Sequence, residues 1–327
     1  MEKKPKEPIV QKEEIKKWTN EIVKAAKGTI DEVVDNIKEG SENFEKRKLA
    51  AKYEKDLLLL KPVFREMLQQ RENTTLNTAR LFSMPAMIHV VEKDKKHSES
   101  TACEHSLGHL STENGIQVLN VYPHHMKDLG VVFFPNMDKE FYYQDPVQKN
   151  LFIDIQEYFQ QLKVARVNEL ERLAYSLGAK HAEIIFKTNT VELEKAKKKA
   201  ELGAKKGKKQ LLDVKAEHSE DTVKKEAVEI EKVIDCSGHD DPQVPELVYF
   251  KNNEDIQQLI FMRIDNKSRL NNKECKLKYS SSSGIKASDA VKIKGALDKM
   301  GGGTAGASIL NESLNESCTT LIYRIEF

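Results

Sequence analysis

The sequence predicts an α+β fold: an N-terminal helical bundle or hairpin, a mixed central region, a charged helical excursion and a largely antiparallel C-terminal sheet. Three observations carry this prediction. Apolar residues recur at three- and four-residue steps near the N-terminus and again between Ile153 and Leu177, the period of a helix with one buried stripe. Short apolar runs punctuated by Gly, Pro and Asn fill residues 76–150, the pattern of strands joined by loops. Toward the C-terminus apolar and polar residues alternate, the period of a half-buried sheet. The expected regions are 1–75 helical, 76–190 mixed α+β, 191–245 charged helical excursion and 246–327 antiparallel and β-rich.

In chain order, Ile15, Trp18, Ile22 and Ala26 mark a first helix that Gly28 stops. Thr29 to Glu32 fits a capping box and opens a second helix carrying Ile30, Val33, Val34 and Ile37, ended by Gly40. A third, from Phe44, carries Leu49, Tyr53, Leu57 and Leu60, and Pro62 can begin a fresh helix with Phe64, Met67 and Leu68 on its face. Strands are expected at 87–91, 116–121 and 131–134. The stripe from Ile153 to Leu177, closed by Gly178 and followed by the apolar run 182–186, predicts a helix, a left-handed glycine stop and a strand.

Residues 191–232 are rich in Lys, Glu and Ala, as in a long solvated helix or helical hairpin of the kind found in coiled coils. A strand at 247–250 and a helix over 255–264 should follow. Alternation at Cys275, Leu277 and Tyr279, at Ile285 through Ile293, and at Leu321 through Phe327 then predicts a meander with one wet face, joined by Ser-rich and Gly-rich turns.

Composition narrows the function classes. The 327 residues hold 53 Lys or Arg against 52 Asp or Glu, a formal net charge of +1. The chain as a whole is neither a basic polyanion binder nor an acidic tail. No run approaches the 18 or so apolar residues of a membrane helix, and the basic start lacks the apolar core of a signal peptide. Cys103, Cys236, Cys275 and Cys318 lie far apart with no Cys-x-x-Cys pair, which suits reduced thiols. These features predict a soluble, cytoplasmic chain.

Five segments invite a chemical reading. His97, Cys103, His105, His109, His124 and His125 fall within 29 positions, and Cys103, His105, His109 and His124 would supply the nitrogen and sulfur ligands that zinc takes. The spacing matches no standard zinc motif. Cys236-Ser-Gly-His239, followed by Asp240 and Asp241, offers a second ligand-like spacing inside what reads as a loop. Gly301, Gly303 and Gly306 satisfy G-x-G-x-x-G formally, without the strand, crossover helix and second strand that a dinucleotide site requires; a flexible connection is expected instead.

The fourth segment is a lysine run. Residues 195–209 hold eight lysines, among them Lys197, Lys198, Lys199, Lys205, Lys206, Lys208 and Lys209, against one glutamate, a net +7; residues 210–241 sum to −6. The two blocks are expected to lie against each other as a charged hairpin, with an anionic membrane or nucleic acid as the rival use of the lysines. No aromatic residue interleaves with them to stack on bases. Fifth, the C-terminal alternation would also suit membrane-inserting hairpins. The leading expectation is a non-enzymatic intracellular interaction protein with a protein partner. A pore-type effector and a metal-dependent enzyme on the 97–125 stretch are the alternatives.

Overall fold

The computed structural model describes residues 42–69, 83–206, 226–265, 270–279 and 283–327. The helices expected over 15–26 and 29–40 lie outside the described residues. The chain divides into two compact units: Met1–Thr112, Gln117–Val131 and Met137–Phe141 in the first, and Glu113–Ile116, Val132–Asn136 and Tyr142–Phe327 in the second.

In the first unit, helix α1 (Glu42–Leu60) leads into a short strand β1 (Pro62–Val63) and helix α2 (Arg65–Gln69). Pro62, which would break a continuing helix, stands behind Lys61 in a left-handed conformation at φ 47°. Strand β2 (Met87–Val90), helix α3 (Lys95–Glu99), a 3₁₀ turn (Thr101–Cys103), strands β3 (Gly108–Glu113) and β4 (Ile116–Val121), and a 3₁₀ segment (Pro123–Leu129) follow. The strands order as β1-β3-β4-β2, with β1 antiparallel to β3 and β2 parallel to β4. Gly108 is required at its position, since a Cβ there would lie 1.9 Å from the Asn120 carbonyl oxygen. Leu57 of α1 is buried against Ala102, with Tyr53, Phe64 and Met67 around it.

The second unit opens with β5 (Val132–Phe134), β6 (Phe141–Gln144) and β7 (Leu151–Asp154), ordered β6-β7-β5. Its larger part comprises α4 (Tyr158–Ser176), β8 (His181–Asn189), α5 (Thr190–Lys206), β9 (Glu226–Asp235), α6 (Glu254–Ile264), β10 (Asn272–Lys278), α7 (Ala287–Met300), α8 (Gly303–Ser317) and β11 (Thr319–Glu326). Strands β10-β11-β8-β9 form an antiparallel sheet. Its inward residues, such as Ile184, Phe186 and Tyr323, share one core with Leu170 and Leu173 of α4 and Leu259 of α6. Each such fully buried side chain contributes roughly 1.5–3 kcal/mol.

The structure thus has helices and two sheets in an α+β arrangement; the glycine stop at Gly178, with φ 76°, and the strand after it lie where the sequence placed them, while the helix before it starts only at Tyr158, since Ile153 belongs to strand β7. Four expectations need correction. Residues 285–293 are no strand: α7 buries Ala290, Ile293, Ala296 and Leu297, a helical spacing that the alternating lysines disguised. Gly301 and Gly302 join two helices rather than two strands, Gly303 and Gly306 lying already within α8, so α7 and α8 interrupt the expected meander. Among the described residues of the excursion, Thr190–Lys206 are helix α5, but Glu226–Asp235 form strand β9; residues 248–250 form a bend rather than part of a strand.

Candidate functional site

The histidine-rich stretch folds into a polar cluster in the first unit, buried at His97 and open to solvent at His124. Asp94 caps α3: its Oδ1 accepts the His97 backbone N–H at 2.9 Å and lies 2.8 Å from His97 Nδ1. His97 is buried, and its Nε2 is 3.4 Å from the Leu60 carbonyl oxygen at the end of α1. Its ring stacks on that of His109 from β3, centroids 3.9 Å apart. Beyond lie Tyr122 (6.3 Å from His109), His124 (6.5 Å from Tyr122) and His125 (4.1 Å from His124), a run of five rings. Lys93 donates to the Cys103 carbonyl at 2.9 Å and sits 5.5 Å from the centre of the Tyr122 ring.

Among the described residues, two atoms of this cluster are buried without a hydrogen-bond partner of good geometry, His109 Nδ1 and Tyr122 Oη. Burial, with the neighbouring His97, pulls the His109 imidazole down to about 4. The same burial pushes the Tyr122 phenol up to about 12 and the Cys103 thiol up to about 11. Each group is therefore held neutral near pH 7.

The four expected zinc ligands do not form a set. Cys103 is a buried thiol far from the thiolate form that binds metal, the His105 side chain is 88% exposed, and His124 is exposed while His109 is stacked on His97. Among the described residues no group of three or more His, Cys, Asp or Glu could hold a metal ion. Cys236 is exposed, and His239 Nε2 lies 2.8 Å from the Tyr175 carbonyl, at the C-terminal end of α4. Those contacts make the segment a structural loop. Gly306 lies where α8 crosses α7, a Cβ there falling 3.2 Å from Lys294 backbone atoms; it serves helix packing rather than a phosphate.

The lysine run has a different outcome. Lys195, Lys197, Lys198 and Lys199 lie on α5 with exposed side chains. Lys205 and Lys206 continue that helix, whereas Lys208 and Lys209 lie outside the described residues. The acids of β9 do not turn to these lysines. Glu229 pairs with Lys163 at 3.1 Å and Glu231 with the same ammonium. Glu226 pairs with Lys187 at 3.7 Å, and Asp235 with His181 at 2.6 Å, a contact that raises the His181 imidazole above its ordinary value. Among the described residues, Lys195, Lys197 and Lys198 have no acidic partner. The expected charged hairpin is thus replaced, over these residues, by an acidic strand satisfied within its own sheet and by α4.

Sequence reasoning missed a buried acidic network in the second unit. Glu169 of α4 accepts the backbone N–H groups of Val248, Tyr249 and Phe250 at 3.0–3.1 Å. Asp145 accepts from the Val147 and Gln148 N–H groups and from the Tyr249 hydroxyl, and Glu316 from the Ser283 N–H and hydroxyl. These carboxylates hold loops in place. Nothing in the sequence separates them from surface acids. Taken together, the molecule is a two-unit α+β protein with a half-buried histidine cluster in one unit and, in the other, a helix on which Lys195, Lys197 and Lys198 have no acidic partner among the described residues. No protein-family model matches the chain, and no curated protein and no solved structure matches it.

Proposed function

We propose that the protein is a non-enzymatic, cytoplasmic interaction protein that takes an acidic partner protein on α5. The observation that carries this is the exposure of Lys195, Lys197 and Lys198 without acidic partners among the described residues, while the nearby acids of β9 are engaged with Lys163, Lys187 and His181. A helix face with ammonium groups left over attracts anions from a distance and discriminates against basic surfaces. A protein partner is favoured over nucleic acid because no aromatic residue stands among the lysines of α5 to stack on bases. The four cysteines are all free thiols, which suits a reducing compartment. No helix among the described residues is long and apolar enough to cross a membrane.

The test compares the native protein with the triple variant Lys195→Glu, Lys197→Glu, Lys198→Glu by fluorescence anisotropy. The probes are a labelled glutamate-rich peptide, a labelled single-stranded RNA and anionic vesicles. If each lysine contributes a few tenths of a kcal/mol to about 1 kcal/mol, the variant should bind the peptide about tenfold more weakly. Equal peptide binding by the two proteins would refute the assignment to α5. Tighter binding of RNA or vesicles than of the peptide would refute the choice of partner.

A further inference from the structure

We propose that His89, His97 and His109 form an acid-sensitive latch in the first unit, in which a proton taken up by His109 frees the C-terminal end of α1. The histidines come from β2, α3 and β3, and His89 and His97 are almost fully buried. His97 is the bolt. A neutral His97 carries one N–H, so it donates either to Asp94 from Nδ1 or to the Leu60 carbonyl, the last of α1, from Nε2, and faces the other acceptor. Around it the same helix is held by the Ser100 hydroxyl donating to Asp56 at 2.8 Å and by Leu57 packed on Ala102.

His109 is the trigger because a proton on it has nowhere to go. Its ring lies face to face with His97 at 3.9 Å, and its Nδ1 faces no acceptor among the described residues. The nearest carboxylate, Asp94, already takes both the backbone N–H and the Nδ1 of His97 through one oxygen. The other ionisable groups around the cluster do not help. Lys93 is cationic, and Tyr122 and Cys103 stay neutral in acid. His89 stands on the β2 side with Asn120 Oδ1 at 3.1 Å and the largely exposed Glu140 at 3.6 Å, so its own protonation is partly absorbed. A cation on the half-buried His109 is therefore held face to face with the His97 ring, and the rings part most simply by moving α3 away, which breaks the His97 contact to Leu60 and loosens Ser100 and Ala102 from α1.

The direction in pH follows from burial. His109 is pulled from 6.5 to about 4, and His89 is lowered as well, by burial, against the raising influence of Asn120 and Glu140. A released form in which these rings meet water takes up protons that the closed form refuses. The closed form is fully favoured above about pH 6.5 and loses ground as pH falls from there toward 4.

Hydrogen–deuterium exchange of the full chain, followed by mass spectrometry between pH 7.5 and 4.5 with a chelator present and intrinsic rates corrected, tests this. Peptides covering residues 47–60 should lose at least tenfold in protection between pH 7.5 and 5, while those covering α4 keep theirs. In His109→Gln the loss should disappear. Flat protection of residues 47–60, equal loss in α4, or the same loss in the variant would overturn the latch. Should the variant not fold, side-chain NMR of the native protein decides. A His109 that titrates well below 6.5, together with opening of α1, supports the proposal; one that titrates near 6.5 with α1 still protected defeats it.

Discussion

Glu169 and Glu171 stand two residues apart in the same helix and have opposite fates. Glu169 is 1% exposed and takes three backbone N–H groups of the 248–250 segment, whereas Glu171 is half-exposed and pairs with Lys232. Removing the first carboxylate leaves three peptide donors without their acceptor in a dry place, each costing roughly 1–3 kcal/mol and not fully additively. Glu169→Ala should therefore lose about 3–5 kcal/mol in urea denaturation, in the range seen when one side of a buried charged contact is deleted. Glu171→Ala should lose less than about 1 kcal/mol, because an exposed pair is screened. Equal losses would show that Glu169 is not what holds the segment. In the sequence both residues read as polar positions on an amphipathic helix. What separates them is a loop nearly 80 residues away, and no local pattern records it. The histidines were conspicuous for a different reason, their number, and that number pointed to metal because pairing with Asp94 and stacking against a second ring leave no trace in spacing.

Elements were legible where punctuation and period agreed. In α4 the apolar stripe, Gly178 and the following run say the same thing, and helix and strand follow as expected. In α7 they disagreed, since lysines at 286, 292 and 294 imposed an apparent two-residue period on a segment whose buried residues, Ala290, Ile293, Ala296 and Leu297, are spaced for a helix. The Asn114-Gly115 pair, with φ 48° and 81°, is a hairpin signal between β3 and β4 that the sequence reading passed over, since such turns need two left-handed residues. Two glycine stops with the same backbone handedness allow a quantitative test. A Cβ on Gly178 would lie 2.1 Å from the His239 carbonyl oxygen, while one on Gly301, at φ 93°, would meet nothing within 4 Å. Gly301→Ala should cost about 1–2 kcal/mol, the penalty of a left-handed residue with a side chain. Gly178→Ala adds a clash with backbone that cannot swing aside and should cost at least about 1 kcal/mol more. Thermal unfolding of the two variants gives the comparison directly; matching losses would mean that the loop at His239 yields freely.

At the scale of the whole molecule, a net charge of +1 hides a division of labour. The acids of β9 are spent internally on Lys163, Lys187 and His181, so Lys195, Lys197 and Lys198 of α5 are not cancelled by the strand that offsets them in the arithmetic. Two consequences follow if these lysines serve association rather than the fold. Charge attraction between exposed groups decays over about 10 Å at 0.1 M salt, so the association rate with an acidic peptide should fall steeply as salt rises from 50 to 300 mM. In the triple Lys→Glu variant that dependence should vanish or reverse. Stability should meanwhile hardly change, within about 0.5 kcal/mol, as expected for surface substitutions away from packed features. Stopped-flow association and denaturant unfolding on the same two proteins measure both quantities. A variant that unfolds more easily and keeps the native salt dependence would place the lysines in the architecture and remove α5 from recognition. A variant of native stability with a flattened salt dependence assigns them to the encounter with a partner.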